Sequence, residues 1–117
     1  MASEVKPIVL TDNESGEKYT LEFSRETIKW AEMHKFDIEE VSKYPMSKTP
    51  ELFFYAFRMH HKNVAREKTD KIFNELGSAT SAVIARLGEL YAAPFDTLLG
   101  DEDEEVETKN ARMTVEL

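Results

Sequence analysis

Cysteine is absent from this 117-residue chain. Disulfides, thiolate nucleophiles and thiolate metal sites are therefore all excluded, and the composition suits a reducing cytoplasm. Glycine is scarce, and its four copies are isolated, so no glycine-rich phosphate loop can be built. No apolar run approaches the ~20 residues of a membrane span. The N-terminal Met1-Ala2-Ser3-Glu4 lacks the basic and apolar stretches of a secretion signal, so the expectation is a soluble protein that stays where it is made.

Positive charge is also short. The net charge is −8, which opposes general binding to nucleic acid because phosphates repel it. The imbalance is local. Residues 101–117 hold seven acids and two bases, a net of −5, which leaves −3 for residues 1–100. Residues 43–71 run the other way, with seven bases against three acids, a net of +4. That basic stretch is either a solvated face or a surface for an acidic partner or for the chain's own tail.

What is present suffices for one core. Twelve aromatics (seven Phe, four Tyr, one Trp) stand in a chain that is 41% hydrophobic. Residues 5–11 are rich in β-branched side chains, and Asp12-Asn13-Glu14-Ser15-Gly16 is a cluster of turn formers. Lys18-Tyr19-Thr20-Leu21-Glu22-Phe23 then alternates polar and apolar. The pattern predicts a β-hairpin over about 4–23, with Pro7 marking an edge strand. A lone hairpin is marginal in water, so Tyr19, Leu21 and Phe23 must pack on helices.

Five helices are expected over 24–99. Ser24 caps the first, which runs to about Phe36, with Ile28 and Ala31 inward and Trp30 and Met33 on a neighbouring stripe. Asp37 caps a short second helix that Pro45 ends, with Ile38 and Val41 facing inward. Thr49-Pro50-Glu51 reads as the start of the third and central helix. Its residues Leu52, Phe53, Ala56, Phe57 and His60 share one face. The fourth covers 66–76, with Thr69, Ile72, Phe73 and Leu76 at helical spacing and Gly77 as the stop. Ser78 or Thr80 opens the fifth, striped by Val83, Ile84, Leu87, Leu90 and Tyr91 and broken by Pro94. Residues 101–117 are expected as an acidic, disordered tail, because consecutive acids bury nothing and repel one another. Met113, Val115 and Leu117 alternate within it, as in a short docking strand. The fold class is thus mainly α: a compact bundle of four to five helices in one domain over 1–100, an N-terminal hairpin, and a flexible acidic C-terminal tail.

No constellation reads as catalytic. His60 and His61 are neighbours on a helix and point about 100° apart, too divergent to share a metal ion easily. His60 is expected on the apolar face and His61 in water. His34 has no carboxylate at ligand spacing. Glu39-Glu40, Asp70 and Glu75 read as helical ion pairs. No serine sits in a nucleophile elbow. The expectation is no enzyme, no cofactor and no metal. The crowded Phe53-Phe54-Tyr55-Phe57 segment cannot all face one small core, so some of it is left for a partner. Phe54, Phe57 and Met59, with Arg58 and Lys62 beside them, are the candidate protein-binding residues.

Several phrases of the chain resemble the tail assembly chaperones of long-tailed bacteriophages and prophages. They are Lys18-Tyr19-Thr20-Leu21-Glu22-Phe23-Ser24-Arg25, Thr49-Pro50-Glu51-Leu52-Phe53-Phe54-Tyr55-Ala56-Phe57, His60-His61-Lys62-Asn63 and the segment from Arg66 to Gly77. The fifth helix and the acidic tail extend the likeness. Ala65 departs from it, since similar chains often place a better helix cap there, and this puts the start of the fourth helix in question. The resemblance implies a non-enzymatic protein of the bacterial host cytoplasm, absent from the finished virion. It would bind the tape measure protein, keep it soluble and help recruit the tail tube protein. It would act as a homo-oligomer, in a spiral or ring, with a longer product made by ribosomal frameshifting. The competing expectation is an acidic phage or prophage regulator that binds a host protein or mimics DNA.

Overall fold

The computed structural model describes residues 5–96, 107–109 and 113–117. The hairpin forms as its pattern dictates: β1 (Ile8–Asp12) runs antiparallel to β2 (Lys18–Leu21). Its turn is held by the Asp12 carboxylate, which accepts the Glu14 N–H at 2.9 Å, and by the Gly16 N–H, which donates to the Asp12 carbonyl at 2.7 Å. Gly16 has φ +81°, with no atom within 4 Å of where a Cβ would stand. The left-handed backbone, and not crowding, is what calls for glycine here.

The sheet does not stop at two strands. Its order is β2-β1-β4-β3, with β4 (Met113–Glu116) antiparallel to β1 and β3 (Glu107–Lys109) outside it. This corrects the expected disordered tail for residues 107–109 and 113–117, while the short docking strand expected from the alternation of Met113, Val115 and Leu117 is present. Met113 and Val115 have no more than 1% of their surface exposed, and Leu117 has 6%. Their alternation supplies a half-buried strand, and acids earlier in the segment do not alter that local pattern. Leu10 faces Tyr19 on one side and Val115 on the other. β1 is therefore an interior strand, and Pro7 stands just before it, where a missing N–H costs no ladder bond. The expectations for residues 1–4, 97–106 and 110–112 fall outside the described residues.

The helices cover the apolar face of the sheet. In α1 (Arg25–Met33) the Ser24 hydroxyl accepts the Thr27 N–H at 3.1 Å, and Thr27 Oγ1 accepts the Ser24 N–H at 2.8 Å. That reciprocal pair is a capping box with threonine in the usual acid's place. Its C-terminal end turns through Lys35 at φ 71°, with the Lys35 N–H on the Glu32 carbonyl and the Phe36 N–H on that of Ala31. This is a Schellman turn built without glycine. It delivers Phe36 into the core at 3% exposure.

A short α2 (Glu40–Lys43) leads into α3 (Pro45–Ala56), which begins four residues before Thr49. Pro45 occupies the first turn, where its missing N–H is harmless, and Pro50 is carried inside the helix. Pro50 removes the bond to the Met46 carbonyl. Met46 is 91% exposed, so that carbonyl sits beside water. Lys48 clamps the α2–α3 corner, 3.4 Å from Glu40 and 3.3 Å from Glu51.

In α4 (Arg66–Asn74), Ala65 holds extended cap geometry, φ −78° and ψ 155°, with no side-chain hydrogen bond. The helix starts there regardless, because Thr69, Ile72 and Leu76 are buried. A 3₁₀ turn (Gly77–Ala79) leads to α5 (Thr80–Asp96), which continues two residues past Pro94. Val83, Leu87, Leu90 and Tyr91 of α5 are buried, whereas Ile84 is half-buried. Arg86, 3% exposed, reaches the Lys6 carbonyl at 3.0 Å and Glu89 at 3.0 Å, tying α5 to the chain that enters β1. One cluster gathers side chains from the sheet and from α1, α3, α4 and α5. Among the described residues no helix is long and apolar enough to cross a membrane.

Candidate protein-binding face

Trp30, the one tryptophan of the chain, is half-buried on α1 and forms the centre of an aromatic and cationic surface. The Arg58 guanidinium lies 4.0 Å from its ring centroid. His34, one turn further along α1, stacks at 4.1 Å and donates Nδ1–H to the Trp30 carbonyl at 2.8 Å. Tyr55 meets the indole edge-on at 5.5 Å. The capping box fixes the phase of α1, and the buried Phe53 and Phe57 fix that of α3, so the two elements bring Trp30 and Arg58 together.

Phe54, Phe57, Arg58 and Lys62 border one small cleft with Trp30, His61 and Val64. Its volume of ≈ 20 Å³ holds about one water, so this is a contoured surface and not a pocket for a metabolite. Met59, 39% exposed, lies outside that lining. Phe54 is half-buried, with its ring 5.9 Å from the Arg66 guanidinium. Phe57 must be corrected as a contact residue: at 1% exposure it packs on Phe53 at 5.1 Å and on Tyr19 at 5.6 Å. It forms the floor beneath the face. Trp30 was the member missed by sequence, since a single aromatic on a side stripe carries no distinctive spacing.

The two adjacent histidines exchange their expected roles. α3 ends at Ala56, so helical spacing no longer governs positions 60 and 61. His61 turns inward, and its Nε2 accepts the Thr20 N–H of β2 at 2.9 Å. Burial, and secondarily the neighbouring His60, lowers its pKa below the ordinary histidine value. His60 is on the surface and donates Nε2–H to Glu22 at 2.7 Å. Among the described residues no three His, Cys, Asp or Glu side chains converge as a metal cage would require. Burial pushes the Tyr19 and Tyr91 hydroxyls up to about 12, so both stay protonated near neutrality.

A second surface lies at the α2–α3 corner. Tyr44 is 58% exposed, and Met46 borders a groove of ≈ 350 Å³ lined by Pro50, Phe73, Asn74 and the Arg66–Asp70 pair. Arg66 Nε donates to Asp70 at 2.9 Å along its rim. Sequence spacing hid this groove, because its walls come from both α3 and α4.

The architecture defines a mainly helical protein whose helices close one face of a small antiparallel sheet. Residues 1–117 match the family described as Domain of unknown function (DUF5055), and the chain belongs to that family. No curated protein and no solved structure matches it.

Proposed function

We propose that this protein is a non-enzymatic tail assembly chaperone of a long-tailed bacteriophage or prophage. It binds the tape measure protein, keeps it soluble in the host cytoplasm and helps recruit tail tube subunits, leaving before the virion is complete. The observation that carries this reading is the groove at the α2–α3 corner, with Met46 standing at its rim almost fully exposed. An amphipathic helix lays its apolar face into such a groove, and methionine adapts to varied helix surfaces. A long helical client offers many such faces. The resemblance of the Thr49–Phe57 and Arg66–Gly77 segments to tail assembly chaperones supplies the identity of the client.

Co-expression with the tape measure protein of the same genome tests the proposal. The client is expected to become soluble and to co-purify with the wild-type chain, and Met46→Asp should cut the recovered client by about tenfold, the equivalent of roughly 1.4 kcal/mol. A client whose solubility is the same with and without the protein would overturn the reading.

A further inference from the structure

A cavity of ≈ 420 Å³ opens where the end of α1, the turn into α2 and the inner face of α5 meet. That volume is ample for a small molecule. Phe36, Ile38 and Tyr91 supply its apolar wall, and Glu32, Asp37 and Glu40 its acidic one. Tyr91 is 4% exposed, and its ring is packed against Phe23 at 5.0 Å and Phe36 at 5.9 Å. Its hydroxyl nevertheless has no hydrogen-bond partner among the described residues. Buried hydroxyls are normally satisfied, because a dry, unpaired one is costly. Burial first, then the charges of Glu32 and Asp37, hold its pKa at about 12. The hydroxyl therefore stands on the side of the acids that border the cavity.

Those acids are short of positive partners. Glu40 lies 3.4 Å from Lys48, and Asp37 Oδ1 accepts the Glu39 N–H at 2.9 Å. Glu32 and Asp37 form no ion pair among the described residues. Lys35 also borders the cavity, so the lining holds three acids against one base, a net of −2. The carboxylates are dispersed: Glu32 is on α1, Asp37 in the turn and Glu40 at the start of α2. Among the described residues no three acids or histidines converge as a metal ion would require. Separated carboxylates with an apolar wall between them suit a cation whose own charges are separated. Ammonium groups donate to carboxylates and hydroxyl oxygens and lie well over aromatic rings, while a methylene chain covers apolar surface. We propose that this cavity binds a small aliphatic diamine, with Glu32, Asp37 and the Tyr91 hydroxyl receiving its ammonium groups.

The site is independent of any client and can be tested on the full-length chain alone. Calorimetric titration with putrescine at low salt should show one saturable site per chain. n-Butylamine, which has a single charge, should bind about tenfold more weakly, the loss of one charge-assisted contact. Three variants, each checked for native circular dichroism, locate the site. Glu32→Gln and Asp37→Asn keep side-chain shape, and asparagine still accepts the Glu39 N–H; each should weaken binding by about tenfold. Tyr91→Phe keeps the packed ring and should weaken binding by about fivefold while leaving Tm unchanged.

A net charge of −8 attracts any cation, so the controls separate the cavity from the general field. No saturable binding, or affinity undiminished in all three variants, would overturn the proposal. So would displacement of putrescine by magnesium at equal concentration, or loss of binding when the acids of residues 101–105 are replaced by Asn and Gln. Tighter binding of Nα-acetyl-lysine amide than of putrescine would overturn the diamine as occupant, in favour of a lysine side chain from another protein.

Discussion

His61 Nε2 accepts the Thr20 N–H at 2.9 Å across 41 residues of sequence, so the turn after α3 closes the outer edge of β2. The Glu22 N–H reaches the Ala56 carbonyl at 3.1 Å alongside it. An edge strand with free N–H groups is a template for unwanted pairing, and here a helix end and an imidazole occupy it. The same contact orients the loop that carries Arg58 and Lys62.

That bond makes stability depend on pH. His61 must be neutral at Nε2 to accept, and its folded pKa is lowered. The folded state therefore binds its proton less readily than the unfolded state does. The contribution is complete above the unfolded histidine pKa of about 6.5 and is lost as pH falls below it towards the folded value. Its size is about 1 kcal/mol, that of one net hydrogen bond. Thermal denaturation of wild type and His61→Gln from pH 8 to 5 should converge as pH falls. Parallel curves would place the acid sensitivity elsewhere.

Phe57 and Phe54 should separate stability from binding. Phe57→Ala empties a fully buried site and should cost about 3–5 kcal/mol, a large part of a domain's total stability. Phe54→Ala, at a half-buried position, should cost clearly less in urea denaturation. Equal losses would contradict the different burial of the two rings.

Two helix ends can be improved. Lys35 adopts φ 71° where glycine carries no penalty, so Lys35→Gly should stabilise by about 1 kcal/mol. Ala65 caps α4 with no side-chain acceptor, and Ala65→Asp should add about 1 kcal/mol. Each corresponds to a rise in Tm of about 3–6 °C in a domain of this size. A lower Tm in either variant would count against the backbone geometry described.

Val115→Asp places a carboxylate beside Leu10 on the buried face of the sheet. An unpaired buried charge of this kind costs several kcal/mol, so β4 should detach or the protein should unfold. Hydrogen exchange should show loss of protection along β1 as well as β4. Protection retained in β1 would mean that β4 is dispensable.

The hairpin and the helical stripes were legible because each obeys one local period, such as Tyr19, Leu21 and Phe23, or Thr69, Ile72 and Leu76. Three features were hidden, wholly or in part, for identifiable reasons. The alternation of Met113, Val115 and Leu117 gave β4 away as a short strand. The polyacidic run before it made the rest of residues 101–117 look like a tail and concealed β3 and the pairing of β4 with β1. The start of α3 was masked by Pro50, which resembles a first-turn proline but sits inside a helix begun by Pro45. The histidine roles inverted because the helix ends at Ala56, four residues before His60. Of the candidate binding residues, Arg58, Lys62 and Phe54 meet on one face because α3 and the loop after it carry them all. Trp30 comes from α1, a tertiary coincidence that spacing does not encode.

The register Val9 opposite Glu116 sets residues 8 and 117 side by side on antiparallel strands. A short turn joining those positions would make β4 and β1 a local hairpin, in place of a pairing across roughly a hundred residues. By the logarithmic law of loop closure, that exchange is worth about 3 kcal/mol of ordering entropy. A circular permutant with its new ends in the stretch between α5 and β3 should thus keep every contact of the sheet and reach it by a shorter search.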